Sequence, residues 1–416
     1  MPVATKRINF PGANGHELAA RLDLPVGAPR AYALFAHCFT CSKDLAAARR
    51  IAQGLAQEGI GVLRFDFTGL GHSEGEFANT NFSSNVGDLV AATNYMRREL
   101  KAPAILIGHS LGGAAVLAAA REIAEVKAVA TIGAPYDVGH EVHQLGASLD
   151  DVLQQGETEV RLAGRTFTIQ RQFVEDAERH NLAEKIANMK KALLILHAPR
   201  DETVGIDNAT EIFVAAKHPK SFVSLDDADH LLTRDEDASY AARVIAAWAA
   251  RFLAPEPQIS ELSPVDGVLV SETGLGKFQN AVRSGKHRLL ADEPDSVGGL
   301  DSGPSPYDYL SVALGTCTAM TLRMYADRKK LDLGRFSVAV YHGKVRSQHC
   351  EDCGEVAQSR EGRIDHFERV ISVEGEIDPE LRDKLVEIAR KCPVHRTLEA
   401  SSAIVTKVAD GPAQVV

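Results

Sequence analysis

The sequence predicts two domains: a doubly wound α/β domain with a mostly parallel sheet over residues 1–253, and an α+β domain over 263–416. Three observations lead there. From Tyr32 to Leu253 short apolar β-type runs alternate with helical stretches, the rhythm of a parallel sheet covered on both faces. A G-x-S-x-G pattern, Gly108 to Gly112, stands where one such run gives way to a helix. After a stretch with two prolines and no apolar period, 254–262, the order of elements changes.

The 416 residues exceed what one compact core usually organises, so at least two domains are expected. With 45% apolar and 25% charged residues, the chain has the composition of a folded globular protein, not of a disordered one. Its formal charge of −10 is spread through the chain, which argues against nucleic-acid and anionic-membrane partners. No apolar run approaches the ~18 residues of a membrane span, and the first ten residues contain no apolar secretory core, so a cytoplasmic location is expected. In that setting six cysteines read as reduced or transiently oxidised thiols, not as a disulfide framework.

In chain order, KRINF and ELAARLDL alternate and predict an antiparallel edge. YALFAHC, IGVLRFDF, PAILIGH, VKAVATIGAP, ALLILHAP and KSFVSL follow as strands, with helices near 44–58 and 83–100, from Ser110, from Asp207, and over 235–252. Between 136 and 190 the rhythm breaks into a short helix, an alternating EVRLAGRTFTIQ that reads as a hairpin, and a further helix. Such an insertion is expected to cap a cleft as a lid. Beyond the linker come alternating strands, an apolar helix around 310–328, the strands RFSVAVYHGKV and FERVISVEGEI, and a helix from Pro379.

In GHSLGG the strand before and the helix after provide the setting of a nucleophile elbow, where glycines permit a turn tight enough to expose the Ser110 hydroxyl. Gly and Ser are each common enough that the bare pattern arises by chance in about 0.1 of chains this long. The flanking strand and helix therefore carry the specificity. A serine hydroxyl needs a base, and the base an orienting carboxylate, in the chain order Ser, acid, His. His230 in DDADHLL and Asp201 in HAPRDETV stand at the ends of the last two parallel strands, with Asp137 the alternative acid. Asp226, Asp227 and Asp229 lie too near His230 in sequence to orient it.

FAHCFT, RFDFTGLGHSEG, GHSLGG and HAPRDETVG together resemble the α/β-hydrolase family from about Phe10 to Phe252. The resemblance implies an oxyanion hole made by the N–H groups of Leu111 and Phe39. It also implies small-molecule acyl esters as substrates and no cofactor. Where the family usually has His-Gly, this chain has His37-Cys38-Phe39, and Cys41 completes a Cys-x-x-Cys at the expected oxyanion loop. Small buried thiols and a redox or metal pair are both open readings of it.

Cys317 lies in an apolar helical segment and Cys392 beside a proline; two such cysteines read on their own as core residues. However, HRLLADEP, GPSPYDYLSVALGTCTAMTLRMYA and CPVHRTLE make 277–408 similar to the OsmC/Ohr family of thiol-dependent hydroperoxide reductases. The resemblance implies Cys317 as peroxidatic and Cys392 as resolving cysteine, organic hydroperoxide substrates, a thiol reductant, and a homodimer. The Glu that such enzymes place before the reactive cysteine is here Tyr307, with Asp308 beside it, and for their Arg only Arg283 and Arg288 are candidates. Cys350 and Cys353 form a second Cys-x-x-Cys, a redox pair or half a zinc site, and without a second half no metal is expected. The chain is thus expected to be a serine ester hydrolase joined to a hydroperoxide reductase. The alternative is an esterase or thioesterase whose second domain serves only for dimerisation or stress sensing.

Overall fold

A computed structural model describes residues 3–38, 42–138, 152, 154–162, 165–253, 267–347, 362–400 and 402–408. The chain divides into two compact units, 1–258 and 259–416, so the division falls in the proline-containing stretch.

The first unit is built on an eight-stranded sheet with the order β1-β2-β4-β3-β5-β6-β9-β10. β1 (Ala4–Pro11) and β2 (Glu17–Leu24) form an antiparallel hairpin, and β2 joins β4 (Ile60–Phe65) antiparallel. From there β3 (Ala31–Ala36), β5 (Ile105–His109), β6 (Ala128–Ile132), β9 (Ala192–His197) and β10 (Lys220–Ser224) run parallel. Every residue of β4, β5, β6 and β9 is buried, because helices cover both faces and leave no polar side to the strands.

On one face lie α2 (Phe82–Glu99) and α3 (Leu111–Ala119); on the other lie α1 (Ala46–Gln57) and α7 (Asp235–Ala249). α1 buries Ala48, Ile51, Ala52 and Leu55, a stripe at helical spacing. α3 is buried at eight of its nine positions, so it reads as apolar all round. The links from β3, through α1, and from β5, through α3, pass to opposite faces of the sheet, so the chain parts in two directions beyond the C-terminal ends of β3 and β5. Open α/β sheets place their binding crevice at such a reversal of strand order.

The insertion contains a second small sheet, the antiparallel hairpin β7 (Glu157–Leu162) and β8 (Arg165–Gln170), then α4 (Arg171–Arg179) and α5 (Leu182–Ala187). Its apolar side chains, among them Ile169, Phe173, Val174 and Leu182, join the buried core on the face of α2 and α3, and Asp176 accepts from the Ser83 N–H at 2.6 Å and hydroxyl at 2.7 Å. α6 (Asp207–Ala215) follows β9.

The second unit has a three-stranded antiparallel sheet of β11 (Val268–Glu272), β12 (Asn280–Ser284) and β13 (His287–Ala291), and a ribbon of β14 (Phe336–Arg346) and β15 (Arg363–Val373). Three helices complete it: α8 (Pro306–Lys329), α9 (Pro379–Ala389) and α10 (Pro393–Glu399). α8 starts at a capping box, Ser305 with Asp308, with Pro306 at its first position. β15 begins four residues before the alternation in FERVISVEGEI does, because RIDH continues the pairing with β14. The core is small, centred on Leu322, Leu385, Ile388 and Ala389, while Val312, Met320 and Met324 on α8 and Val370 on β15 are exposed.

Candidate functional site

Ser110 joins β5 to α3 with φ 54° and ψ −124°. That left-handed backbone costs a non-glycine residue roughly 1–3 kcal/mol and persists only where neighbours enforce it. Here they do. Ser110 N–H donates to Ile132 O at 2.9 Å, and α3 is pressed onto the end of β3: a Cβ on Gly112 would lie 2.4 Å from Ala36 O and 2.5 Å from His37 O. The Ser110 hydroxyl has no hydrogen-bond partner among the described residues and is partly exposed.

His230 reaches the same sheet edge from the loop after β10, and its Nδ1 lies 2.7 Å from Asp201 Oδ2. Asp201, after β9, is held in turn: its Oδ1 accepts from the N–H groups of Thr203 and Val204, both at 2.9 Å. Burial alone raises its carboxyl, but the bonds from His230, Val204 and Thr203 outweigh that and hold it below the ordinary carboxylate value. The ionised form therefore leaves the proton on Nδ1 and the lone pair on Nε2. The end of β6 closes the group, since a Cβ on Gly133 would meet Asp201 Oδ2 at 3.2 Å and His230 Nδ1 at 3.3 Å. Ser110 is bonded to the residue just before that glycine.

The remaining carboxylates near His230 in sequence have other partners. Asp226 bonds Ser224, Asp227 and Asp237 hold Arg234, and Asp229 caps Thr233. Asp201, not Asp137, is the acid bonded to the imidazole.

The sequence reading missed a buried histidine behind this group. His109 Nε2 lies 2.7 Å from His230 O; burial, with the neighbouring His230 next, pushes its pKa down to about 3. It is therefore a neutral donor that pins the His230 loop. Its place immediately before Ser110 was the only signal for it.

Leu111 occupies the first position of α3, so its N–H has no acceptor within the helix. The other expected donor, Phe39, lies outside the described residues, as do Cys41, Cys350 and Cys353. Cys38 is buried and disulfide-bonded, the oxidised of the two thiol states that the composition leaves open.

The described flanks of the loop after β3 are tied down. Asp66, fully buried after β4, accepts from Lys43 N–H at 2.5 Å and Nζ at 2.6 Å and from His72 N–H at 2.9 Å. Arg64 donates to Lys43 O and, at 2.7 Å, to Asp23. The second glycine-rich turn thus supports the first loop through one carboxylate.

In the second unit α8 and the start of α10 bring Cys317 and Cys392 near one another as free thiols. Their neighbours differ from those expected. Tyr307 stacks on His342 with ring centroids 4.3 Å apart, and Asp308 spends its carboxylate on Ser305 in the helix cap. Arg283 and Arg288 face one another across β12 and β13. The arginine beside the cysteines is Arg369 of β15, bonded to Thr318 at 2.9 Å, Ala389 O at 3.1 Å and His395 Nδ1 at 3.1 Å. In sequence Arg369 was one polar residue in an alternating strand, with nothing to set it apart.

A hydrolase-type sheet carrying a serine elbow, and a separate helix carrying a thiol pair, define the class: a two-module protein with one serine-centred and one cysteine-centred site. Comparison with known proteins agrees in both halves. Residues 27–182 match the family described as serine aminopeptidase, S33, and residues 299–407 match OsmC-like protein. The chain is 49% identical to the esterase domain of a Rhodothermus marinus protein, covering 60% of this chain and all of that one, with a TM-score of 0.51. Est1E from Butyrivibrio proteoclasticus, solved with ferulic acid bound, is 20% identical over 58% of this chain and 98% of its own, with a TM-score of 0.53. Mouse alpha/beta hydrolase domain-containing protein 10 is 21% identical over 59% and 99%, with a TM-score of 0.51. These two share the fold. No curated relative matches the chain. The chain belongs to the α/β-hydrolase family through its first unit and carries an OsmC-like domain in its second.

Proposed function

We propose that this chain is a bifunctional enzyme: a serine ester hydrolase in residues 1–253, under a lid formed by 136–190, fused to a thiol-dependent reductase of organic hydroperoxides in 263–416. The observation that carries the first half is the 2.7 Å bond between His230 Nδ1 and Asp201, formed at the edge where Ser110 turns. In this reading His230 Nε2 takes the Ser110 proton as the hydroxyl attacks an ester carbonyl. The imidazolium, stabilised by Asp201, then gives that proton to the leaving alcohol. The acyl-enzyme is hydrolysed by water through the same base. Leu111 N–H, with Phe39 N–H as its partner, receives the oxyanion. Without substrate a Ser–His contact is commonly open, which is compatible with the unbonded Ser110 hydroxyl.

In the second half Cys317, the more exposed thiol, attacks the peroxide, and Cys392 resolves the sulfenic acid as a disulfide that an external dithiol reduces. The exposed apolar side chains of α8 against a small core support a homodimer formed through this domain, since such surface is seldom left in water. No helix among the described residues is long and apolar enough to cross a membrane, and a cytoplasmic setting suits a thiol-reduced site.

A fused pair of this kind suits an oxidised acyl ester, hydrolysed at one site and reduced at the other. Purified protein given an esterified lipid hydroperoxide and dithiothreitol should release the acid and consume the peroxide. Ser110→Ala should stop only the first and Cys317→Ser only the second. If the parent consumes no peroxide, the second domain is not a reductase; if it releases no acid from this or any simple aryl ester, the hydrolase reading fails.

A further inference from the structure

A cavity of about 550 Å³ opens in the first unit at the edge of the sheet opposite Ser110. Its walls are the turns that enter three neighbouring strands: Lys127 stands before β6, Lys190 and Lys191 before β9, and Lys217 and Pro219 before β10. β6 runs five residues from this edge to Ile132, whose carbonyl accepts from Ser110 N–H. At ~3.3 Å per residue the cavity therefore stands about 13 Å from the serine elbow. Open α/β sheets bind substrates beyond the C-terminal ends of their strands, so a cavity at the other ends is a separate place.

Cations surround it without a counter-charge. Lys127, Lys190 and Lys217 are exposed and form no ion pair among the described residues, and no Asp or Glu lines the cavity. Lys191 is half-buried, and its Nζ donates to Ile123 O at 3.0 Å and Ala124 O at 3.2 Å. One of its three N–H groups is left over. The carboxylate nearest in charge to Lys191, Glu125, spends both oxygens on Arg97, at 2.8 and 2.7 Å. Burial, and after it the neighbouring Lys127, lowers the Lys191 pKa from its ordinary value, as expected of crowded ammonium groups.

The arrangement is fixed before any ligand arrives. Ala192 N–H donates to Lys127 O at 3.1 Å and Leu193 N–H to Pro219 O at 3.0 Å, so backbone bonds tie the three turns together. Lys190 adopts φ 57°, a left-handed conformation that glycine takes freely and a lysine only at a cost. A long cationic side chain thus stands where the backbone by itself favours glycine. Between the lysines the surface is apolar, offered by Ala187, Pro219 and Phe252 with buried Ile186 and Met189 packed beneath.

We propose that this cavity binds a small phosphate monoester with an apolar body, its phosphate among Lys127, Lys190, Lys191 and Lys217 and its organic part against Pro219 and Phe252. A phosphate carries about −1.5 to −2 charges at neutral pH and so offsets more of the four ammonium groups than a carboxylate does. No arginine lines the cavity, and lysines hold a phosphate as point charges, without the paired geometry that selects a planar carboxylate. The volume falls within the roughly 300–1,000 Å³ of small-molecule sites. A lipid headgroup is the other source of this chemistry, but the formal charge of −10 opposes approach to an anionic surface. The assignment is independent of the serine and cysteine chemistry proposed above.

Isothermal titration calorimetry on the full chain tests it, with ethyl, butyl and hexyl phosphate, inorganic phosphate, hexanoate, and vesicles containing phosphatidic acid as probes. Hexyl phosphate should bind more tightly than inorganic phosphate or hexanoate, with each added methylene along the series gaining up to about fourfold. Lys127→Gln, Lys190→Gln and Lys217→Gln should each weaken hexyl phosphate by up to about fivefold, and the triple variant by at least about tenfold. These side chains are exposed, so the variants keep the fold. Lys6→Gln, on β1 at the far edge of the sheet, should change nothing, and Ser110→Ala and Cys317→Ser should bind as the parent does. The proposal is overturned by hexyl phosphate that does not saturate in the millimolar range, or that binds no better than inorganic phosphate or hexanoate. Undiminished binding to the triple variant, or loss of binding in Ser110→Ala, overturns it equally. Binding to the vesicles alone overturns it in favour of a membrane headgroup. Failure of ester or peroxide turnover leaves it standing.

Discussion

Replacing Asp201 by Asn tests the proposed proton path more sharply than removing it. Asp201 Oδ1 accepts from two backbone N–H groups, and Oδ2 faces His230 Nδ1 at 2.7 Å. In the Asp201→Asn variant the side-chain amide oxygen is claimed by those two donors, so the NH2 must face the imidazole. The ring then presents its lone pair at Nδ1 and carries its proton on Nε2, where it cannot accept from Ser110. The fold should survive, because the shape and two of the three bonds are retained. The expected loss in kcat is ~10³–10⁴-fold, about 4.1–5.5 kcal/mol of transition-state stabilisation, read with a p-nitrophenyl ester at neutral pH. Asp137→Asn should leave the rate within about twofold. Retention by Asp201→Asn of more than roughly a tenth of the parent kcat would refute the reasoning, because a ring in the wrong tautomer cannot serve as base. The variant also has a pH signature. The folded Asp201 carboxyl is held low, so its stabilisation is complete above the unfolded value of about 3.9 and is lost as pH falls through the folded value. Urea midpoints should fall less steeply with acid in Asp201→Asn than in the parent.

Three further outcomes follow from the same geometry. Ser110→Gly should abolish ester hydrolysis yet exceed Ser110→Ala in stability by about 1 kcal/mol in urea unfolding, because glycine accepts φ 54° without strain; equal stability would mean the elbow stores none. Lys43→Met leaves Asp66 buried without its ammonium partner and should lower unfolding free energy by about 3–5 kcal/mol, with a loss below 1 kcal/mol counting against a dry ion pair. Gly112→Ala drives a Cβ into the carbonyls of Ala36 and His37 and should cost about 1–3 kcal/mol with hydrolysis reduced further than stability explains; an unchanged kcat would show that the oxyanion side does not depend on that contact.

Pattern sufficed for the first domain because its signals are local. Strands buried on both faces are apolar along their run, as ALLIL is, and helices buried on one face must repeat every three to four residues, as α1 does. Ser110 announced itself because an exposed hydroxyl on a tight turn requires glycines at fixed offsets. Asp201 and His230 could be named because acid and base must stand at the ends of successive parallel strands. Asp201 is preferred over Asp137 from its position alone, and the structure adds the 2.7 Å bond to the imidazole.

The second site shows the converse. Cys317 and Cys392 were found through likeness to a family, but the sequence leaves the charge around them open, with Arg283 and Arg288 only candidates and Asp308 only beside the expected Glu position. Helix capping engages Asp308, strand pairing sets the two arginines against each other, and Arg369 arrives from a ribbon whose sequence shows only alternation. Sequence determines what is periodic or bound to a turn, because those constraints act between near neighbours. Which arginine stands beside the thiol pair, and which histidine braces the His230 loop, depend on distances between segments far apart in the chain, and these only the packed structure decides.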